Sequence, residues 1–207
     1  MNRVELTNLV ILAILVIGWC VLHSAMIWIP VTDSLKRHLG SAYRYYRLFY
    51  NVVAVLTLIP VVWFAYSLKT PPLFSWDGYL RVIQVSLLGI AALLFYLGAR
   101  NYDARQLLGL KQISEGRSDA AISATGKLET TGVLAITRHP WYLAVMISIW
   151  ARPLDVSAIV VNVLLTIYLV AGTYLEEQKL IREFGDSYRR YQNRVSMLLP
   201  YKWLKQK

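Results

Sequence analysis

The chain has 207 residues, 57% of them apolar and 16% charged, with a mean hydropathy of +0.44. A soluble domain carries about 45–50% apolar and about 25% charged residues, so this composition excludes an ordinary soluble protein and indicates a membrane-embedded one. The formal net charge is +10, but no Lys/Arg block is interleaved with aromatics outside an apolar context, which argues against nucleic acid as a partner.

In chain order, residues 6–29 are apolar except for Thr7, Asn8, His23 and Ser24, a run long enough to cross a hydrocarbon core of about 30 Å. The run exceeds the apolar core of a signal peptide and no small-x-small cleavage site follows it, so it is predicted to stay as a helix. Cys20, the single cysteine, is a small hydrophobe there, with no partner for a disulfide and no Cys/His spacing for a metal. Residues 48–68 form a second span, with Pro60 as a kink that neighbouring helices tolerate, and residues 79–98 form a third. Residues 132–150 are apolar on average but broken at Thr137-Arg138-His139-Pro140. Proline suits the first turn of a helix, where its missing N–H is no loss, so a short membrane helix is predicted over 140–152. Too short to cross comfortably alone, it is predicted to turn tightly at Arg152-Pro153-Leu154-Asp155 into the clearest span, 156–175, whose one strongly polar residue is Asn162. Broken backbone at membrane depth needs a protein-lined or wet cavity, so the break is itself a pointer to a site.

The expected fold class is therefore all-α: one membrane domain over residues 1–207, a bundle of five transmembrane helices with a C-terminal helical hairpin and a cytoplasmic C-terminal helix. Residues 30–47 hold Lys36, Arg37, Arg44 and Arg47 against Asp33 alone, residues 69–78 are nearly neutral, the loop 100–138 is long and mixed in charge, and the tail 176–207 is strongly basic. Positive residues mark the cytoplasmic side, which gives an N-terminus outside and a C-terminus inside; the alternation fits five segments and fails for four. Residues 176–194 read as a helix continuing from the last span, interrupted near Gly185, with Leu180, Phe184, Tyr188 and Tyr191 on one apolar-aromatic stripe. Residues 114–131 read as a polar loop able to close over a ligand. Trp28, Trp63, Trp76 and Trp203 read as interfacial belt residues.

Ionisable residues at membrane depth are costly and mark function by default. The strongest group is Arg138-His139-Pro140-Trp141-Tyr142, followed by Glu176-Glu177 at the end of the next helix. A helix hairpin brings the two groups to one face, with Tyr188 and Tyr191 near. A zwitterionic amino-acid moiety wants that set, an arginine for its carboxylate and a glutamate for its ammonium. The same residues suit an Arg–Glu pair that locks the hairpin, and spacing leaves both readings open.

At these residues a family resemblance emerges. Residues 132–200 resemble the C-terminal signature shared by isoprenylcysteine carboxyl methyltransferases and phospholipid methyltransferases: Gly132, Arg138-His139-Pro140-Trp141-Tyr142, a hydrophobic hairpin, Glu176-Glu177-Gln178-Lys179-Leu180, Phe184-Gly185-Asp186-Ser187-Tyr188-Arg189-Arg190-Tyr191 and Leu199-Pro200. Order, spacing and residue type match over about a third of the chain. His23-Ser24, Tyr46-Arg47-Leu48-Phe49-Tyr50-Asn51, Asp103, Leu108-Gly109-Leu110-Lys111-Gln112 and Trp150-Ala151-Arg152-Pro153 resemble the NnrU-like branch, which includes bacterial methanethiol S-methyltransferases. Arg152 and Leu154-Asp155 depart from that branch, whose pattern has a small or polar residue at the first position and often Met-Thr after the proline.

The resemblance implies an enzyme of the bacterial inner membrane that transfers a methyl group from S-adenosylmethionine to a small or lipid-soluble acceptor, a thiol above all. The other acceptors it implies are a prenyl-cysteine carboxylate and a phospholipid amine. It implies that His139 and Tyr142 line the cofactor pocket, that Arg138 holds the cofactor's carboxylate, that Glu176 or Glu177 takes its amino group, and that Tyr188 and Tyr191 close the pocket. Methyl transfer needs alignment and exclusion of water more than an acid or base, but a thiol must be deprotonated, for which His139, His23 and Arg47 are the candidates. Asp103 and Gln112 are assigned to a lid. From another class come a non-catalytic NnrU-like accessory protein and a permease; only one broken helix is visible, against the paired inverted repeats a transporter shows.

Overall fold

The computed structural model describes residues 3–100, 105, 108–115 and 128–205. Among them the chain is all helical: α1 (Arg3–Ile27), α2 (Ile29–Leu39), a 3₁₀ turn (Gly40–Tyr45), α3 (Tyr46–Ser67), α4 (Leu80–Ala99), α5 (Leu110–Glu115), a second 3₁₀ turn (Gly132–Ala135), α6 (Pro140–Trp150), α7 (Val156–Phe184), α8 (Asp186–Arg194) and α9 (Tyr201–Lys205). Asp103, and residues 116–127 of the expected closing loop, lie outside the described residues.

Among the described residues, four helical stretches are long and apolar enough to cross a membrane: Arg3–Ile27, Ile29–Ser67, Leu80–Ala99 and Val156–Phe184. α6 is apolar but has 11 residues, which at 1.5 Å per residue is about half of a hydrocarbon core. Outward-facing side chains are apolar along these helices, with Ile14 63%, Trp63 73% and Val82 69% exposed. Such surface is a liability in water and the expected one against lipid tails.

Two compact units are distinguished. The first comprises Met1–Pro72, Ala104–Ile122 and Asp155–Leu165. Within it α1 buries Leu12, Val16 and Cys20, a ridge of four-residue spacing, and α1 packs against α3. The polar side chains along that contact are paired: the Trp19 indole donates to the Ala54 carbonyl at 3.0 Å and the Tyr46 hydroxyl to the Met26 carbonyl at 2.7 Å. Residues 30–47, expected as a basic loop, are helical. Pro30 opens α2, and Val31, Leu35 and Leu39 then repeat every four residues, a pattern outweighed in the sequence by the charges between them. Asp155 accepts from the Ala158 N–H and the Ser157 hydroxyl, each at 2.7 Å, and so caps the start of α7. That gives one of the two departures at the hairpin turn a structural reason.

The second unit comprises Leu73–Asp103, Ser123–Leu154 and Thr166–Lys207. α4 and α6 pack closely, and the Trp141 indole covers Gly98 and donates to the Phe95 carbonyl at 3.1 Å; a Cβ at Gly98 would overlap the indole ring. Pro140 opens α6 as its chemistry dictates. α7 runs on to Phe184, where Gly185 at φ 54 breaks it before α8 begins at Asp186. The stripe on these helices is one cluster: Tyr188, Tyr191 and Val195, with Leu180, Ile181 and Phe184 packed against them.

Candidate functional site

The site is built where residues 137–139 meet residues 195–197. Thr137 is extended and bridged in parallel to Ser196; the Arg138 N–H donates to the Ser196 carbonyl at 3.0 Å and the His139 N–H to the Met197 carbonyl at 3.2 Å. This short zipper positions both side chains ahead of Pro140. From α7, Glu177 enters as the common acceptor. Its Oε1 takes Arg138 Nε at 2.6 Å, His139 Nε2 at 3.2 Å and, more weakly, the Tyr188 hydroxyl at 3.4 Å; its Oε2 takes the Gln192 amide at 2.8 Å. A carboxylate only accepts, so His139 Nε2 carries the proton that faces it. Arg138 Nη1 also donates to the Gln192 carbonyl at 3.1 Å and to the Val195 carbonyl.

Arg138, His139, Glu177, Tyr188 and Tyr191 are all buried. A buried charge persists only when paired and fully hydrogen-bonded, and Glu177 meets that condition through four partners. Burial first, and then the Glu177 carboxylate, push the Tyr188 phenol above its ordinary value of 10.0, so it stays a neutral donor. Tyr191 donates to the Leu134 carbonyl at 2.6 Å, tying α8 to the 3₁₀ turn before the zipper. Tyr142 stands edge-on to the His139 ring, centroids 5.6 Å apart.

Two groups at the edge of this network are left over. Glu176 is half-buried, and among the described residues the one cationic candidate within reach is His139 Nδ1, 3.9 Å from its Oε2. Arg138 directs Nε and Nη1 to protein acceptors; among the described residues none stands at Nη2. A guanidinium edge and a separate carboxylate are complementary to an α-amino acid zwitterion, so the donor set fits the methionyl end of the sulfonium cofactor that the family resemblance implies. Among the described residues no cluster of three or more His, Cys, Asp or Glu suits a metal ion.

The other candidates lie in the first unit. His23 Nε2 is bonded to the Tyr50 hydroxyl, and its ring lies 5.2 Å from that of Trp19. Arg47 is on the first turn of α3, where Gly109, at φ 88, comes so close that a Cβ would meet the Leu48 nitrogen at 2.7 Å. Gln112 is buried on α5.

A family model described as NnrU protein matches residues 11–197. The chain belongs to the NnrU family. Its similar relatives include proteins named methanethiol S-methyltransferase. That of Pseudomonas deceptionensis is 39% identical over 132 residues, covering 58% of this chain and 50% of the relative. Methanethiol S-methyltransferase 1 of Bradyrhizobium diazoefficiens is 30% identical over 157 residues, covering 74% of this chain and 54% of the relative. That of Mycobacterium tuberculosis is 28% identical over 161 residues, covering 73% and 62%. The chain thus spans about half the length of the first curated relatives it matches. No solved structure matches this NnrU-family chain.

Sequence reasoning passed over Gln192, Ser196 and Lys202. Gln192 is one helical turn beyond Tyr188, on the stripe already singled out, and a polar residue on an apolar stripe is the signal that marks it. Lys202 braces the same segment, its ammonium on the Gln192 carbonyl at 2.7 Å and its N–H on Ser196 Oγ at 3.0 Å.

Proposed function

We propose that this NnrU-family chain is a membrane-embedded, S-adenosylmethionine-dependent methyltransferase whose acceptor is a small thiol such as methanethiol. The names of its relatives support the reaction class. The observation that carries the site is the leftover pair beside the buried network, Arg138 Nη2 and the Glu176 carboxylate. In this reading Arg138 holds the cofactor carboxylate and Glu176 its ammonium. Glu177 fixes Arg138 and His139, Tyr142 flanks the pocket, and Tyr188 and Tyr191 keep water from its inner wall. The bound cofactor supplies a methyl group on a sulfonium, transferred in line to the acceptor's lone pair. Such a displacement gains most from alignment in a dry site. A thiol acceptor reacts as its thiolate. His139 is proposed to receive the thiol proton through Nδ1, and His23 and Arg47 are proposed as further residues serving the acceptor.

The same reading makes the chain one membrane domain of five spans, α6 being the short fifth, in a bacterial inner membrane with the C-terminus cytoplasmic. A C-terminal green fluorescent protein fusion is then bright and a phosphatase fusion inactive.

Binding of S-adenosylhomocysteine to the purified chain tests the function. Wild type binds in the micromolar range, and Glu176→Gln weakens binding at least about tenfold, the loss of one charged hydrogen bond, with the unfolding temperature unchanged. No binding at high micromolar ligand overturns the reading in favour of an accessory protein. Labelled methyl transfer to methanethiol, a prenyl-cysteine and a phospholipid amine then identifies the acceptor.

A further inference from the structure

The first unit holds an open cavity of about 510 Å³, within the size range of ligand pockets. Val31, Leu35 and Leu39 of α2 line one side of it, and Tyr45, Tyr46 and Phe49 the other. Every lining side chain is apolar or aromatic. Tyr45 and Phe49 remain 46% and 58% exposed, so the groove is far from closed by the chain itself. α2 has the form of a helix lying in a membrane interface: a stripe at every fourth residue faces the groove, while Asp33, Lys36 and Arg37 are exposed elsewhere on the helix.

The charge around this groove is predominantly positive. Lys36, Arg37 and Arg44 are exposed, and Asp33 is the single acidic residue from Ile29 to Tyr46. The Arg44 guanidinium lies over the ring of Tyr45, 4.8 Å from its centroid, and so stands at the rim of the groove. An apolar channel with a cationic rim is complementary to a molecule with a long apolar chain and an anionic head.

We propose that this groove is a binding site for one anionic phospholipid, with an acyl chain along Val31, Leu35 and Leu39 and the phosphate between Lys36 and Arg44. The site does not depend on the methyl-transfer reading. Occupancy makes α2 a fixed interfacial element instead of one with an exposed apolar face.

Native mass spectrometry of the full chain, released from detergent with phosphatidylglycerol or phosphatidylcholine of identical acyl chains, tests it. Wild type retains one phosphatidylglycerol at least about tenfold more tightly than phosphatidylcholine. The rim variant Lys36→Gln/Arg44→Gln binds phosphatidylglycerol about 25-fold more weakly, about fivefold for each charge near the surface, and loses most of the preference over phosphatidylcholine. Removing two exposed charges elsewhere, Arg189→Gln/Arg190→Gln, alters neither lipid. Ala42→Trp, which fills the groove, weakens both while the lipid-free unfolding temperature stays that of wild type. Equal retention of the two lipids by wild type overturns the proposal. So does an equal loss in the rim and remote variants, unchanged binding in the filled variant, or a lipid-free dimer in which a second copy covers the groove.

Discussion

The hairpin of α6 and α7 is held at its two ends by different chemistry. At the turn, neutral donors meet backbone carbonyls beside a capping carboxylate, Asp155: the buried Gln84 amide reaches the Ala151 carbonyl at 2.7 Å, the Trp76 indole the Arg152 carbonyl at 3.1 Å, and Phe74 bridges to Leu154. At the open end, a buried arginine, imidazole and glutamate converge with the half-buried Glu176 at their edge. Ionised groups carry a desolvation penalty that neutral ones avoid. At the turn the buried Asp155 carboxylate serves as a helix cap, whereas the charges pooled at the open end exceed what capping requires and point to chemistry there.

Glu177→Ala should break the contrast hardest. It strands the buried Arg138, which costs about 3–5 kcal/mol, and a large fall in unfolding temperature in detergent is the expected readout; a shift no larger than that of a surface variant would mean the charged end contributes little to the fold. Gln84→Ala at the turn leaves the Ala151 carbonyl without its donor and should cost about 1–3 kcal/mol, with S-adenosylhomocysteine affinity unchanged. Loss of affinity there would show the two ends to be coupled. The smallest effect belongs to Tyr188. Because its phenol is raised in the folded chain above 10.0, its contribution is fully present below pH 10 and is lost as pH climbs toward the folded value. Stability measured from pH 8 to 11 should therefore fall above pH 10 in wild type and fall less steeply in Tyr188→Phe. Identical slopes would remove Tyr188 from the network.

What the sequence disclosed was local or costly. Pro140 announces the start of α6, and Arg152-Pro153 its end, because proline restricts its own neighbourhood. Arg138, His139, Glu176 and Glu177 stand out because charge in an apolar context is rare. Gln192, Ser196 and Thr137 were illegible for the opposite reason: they are ordinary polar residues whose roles come from partners distant in sequence. α2 was obscured because its charges dominate a stretch whose apolar spacing is the better guide. Spacing left open whether Arg138 and Glu177 bind a ligand or each other. In the fold they bind each other, and the edges that remain, on Arg138 and Glu176, sharpen the ligand question to those two groups.

The zipper between residues 137–139 and 195–197 bears on how the protein is made. Arg138 meets its acceptor at Val195 across 57 positions of chain, which at about 5–20 residues per second of synthesis is a delay of about 3–11 s. Throughout that interval the arginine is already in the chain and its last acceptors have not been translated. The network therefore closes only after Val195 has been translated, and a ribosome stalled before it leaves the site unformed.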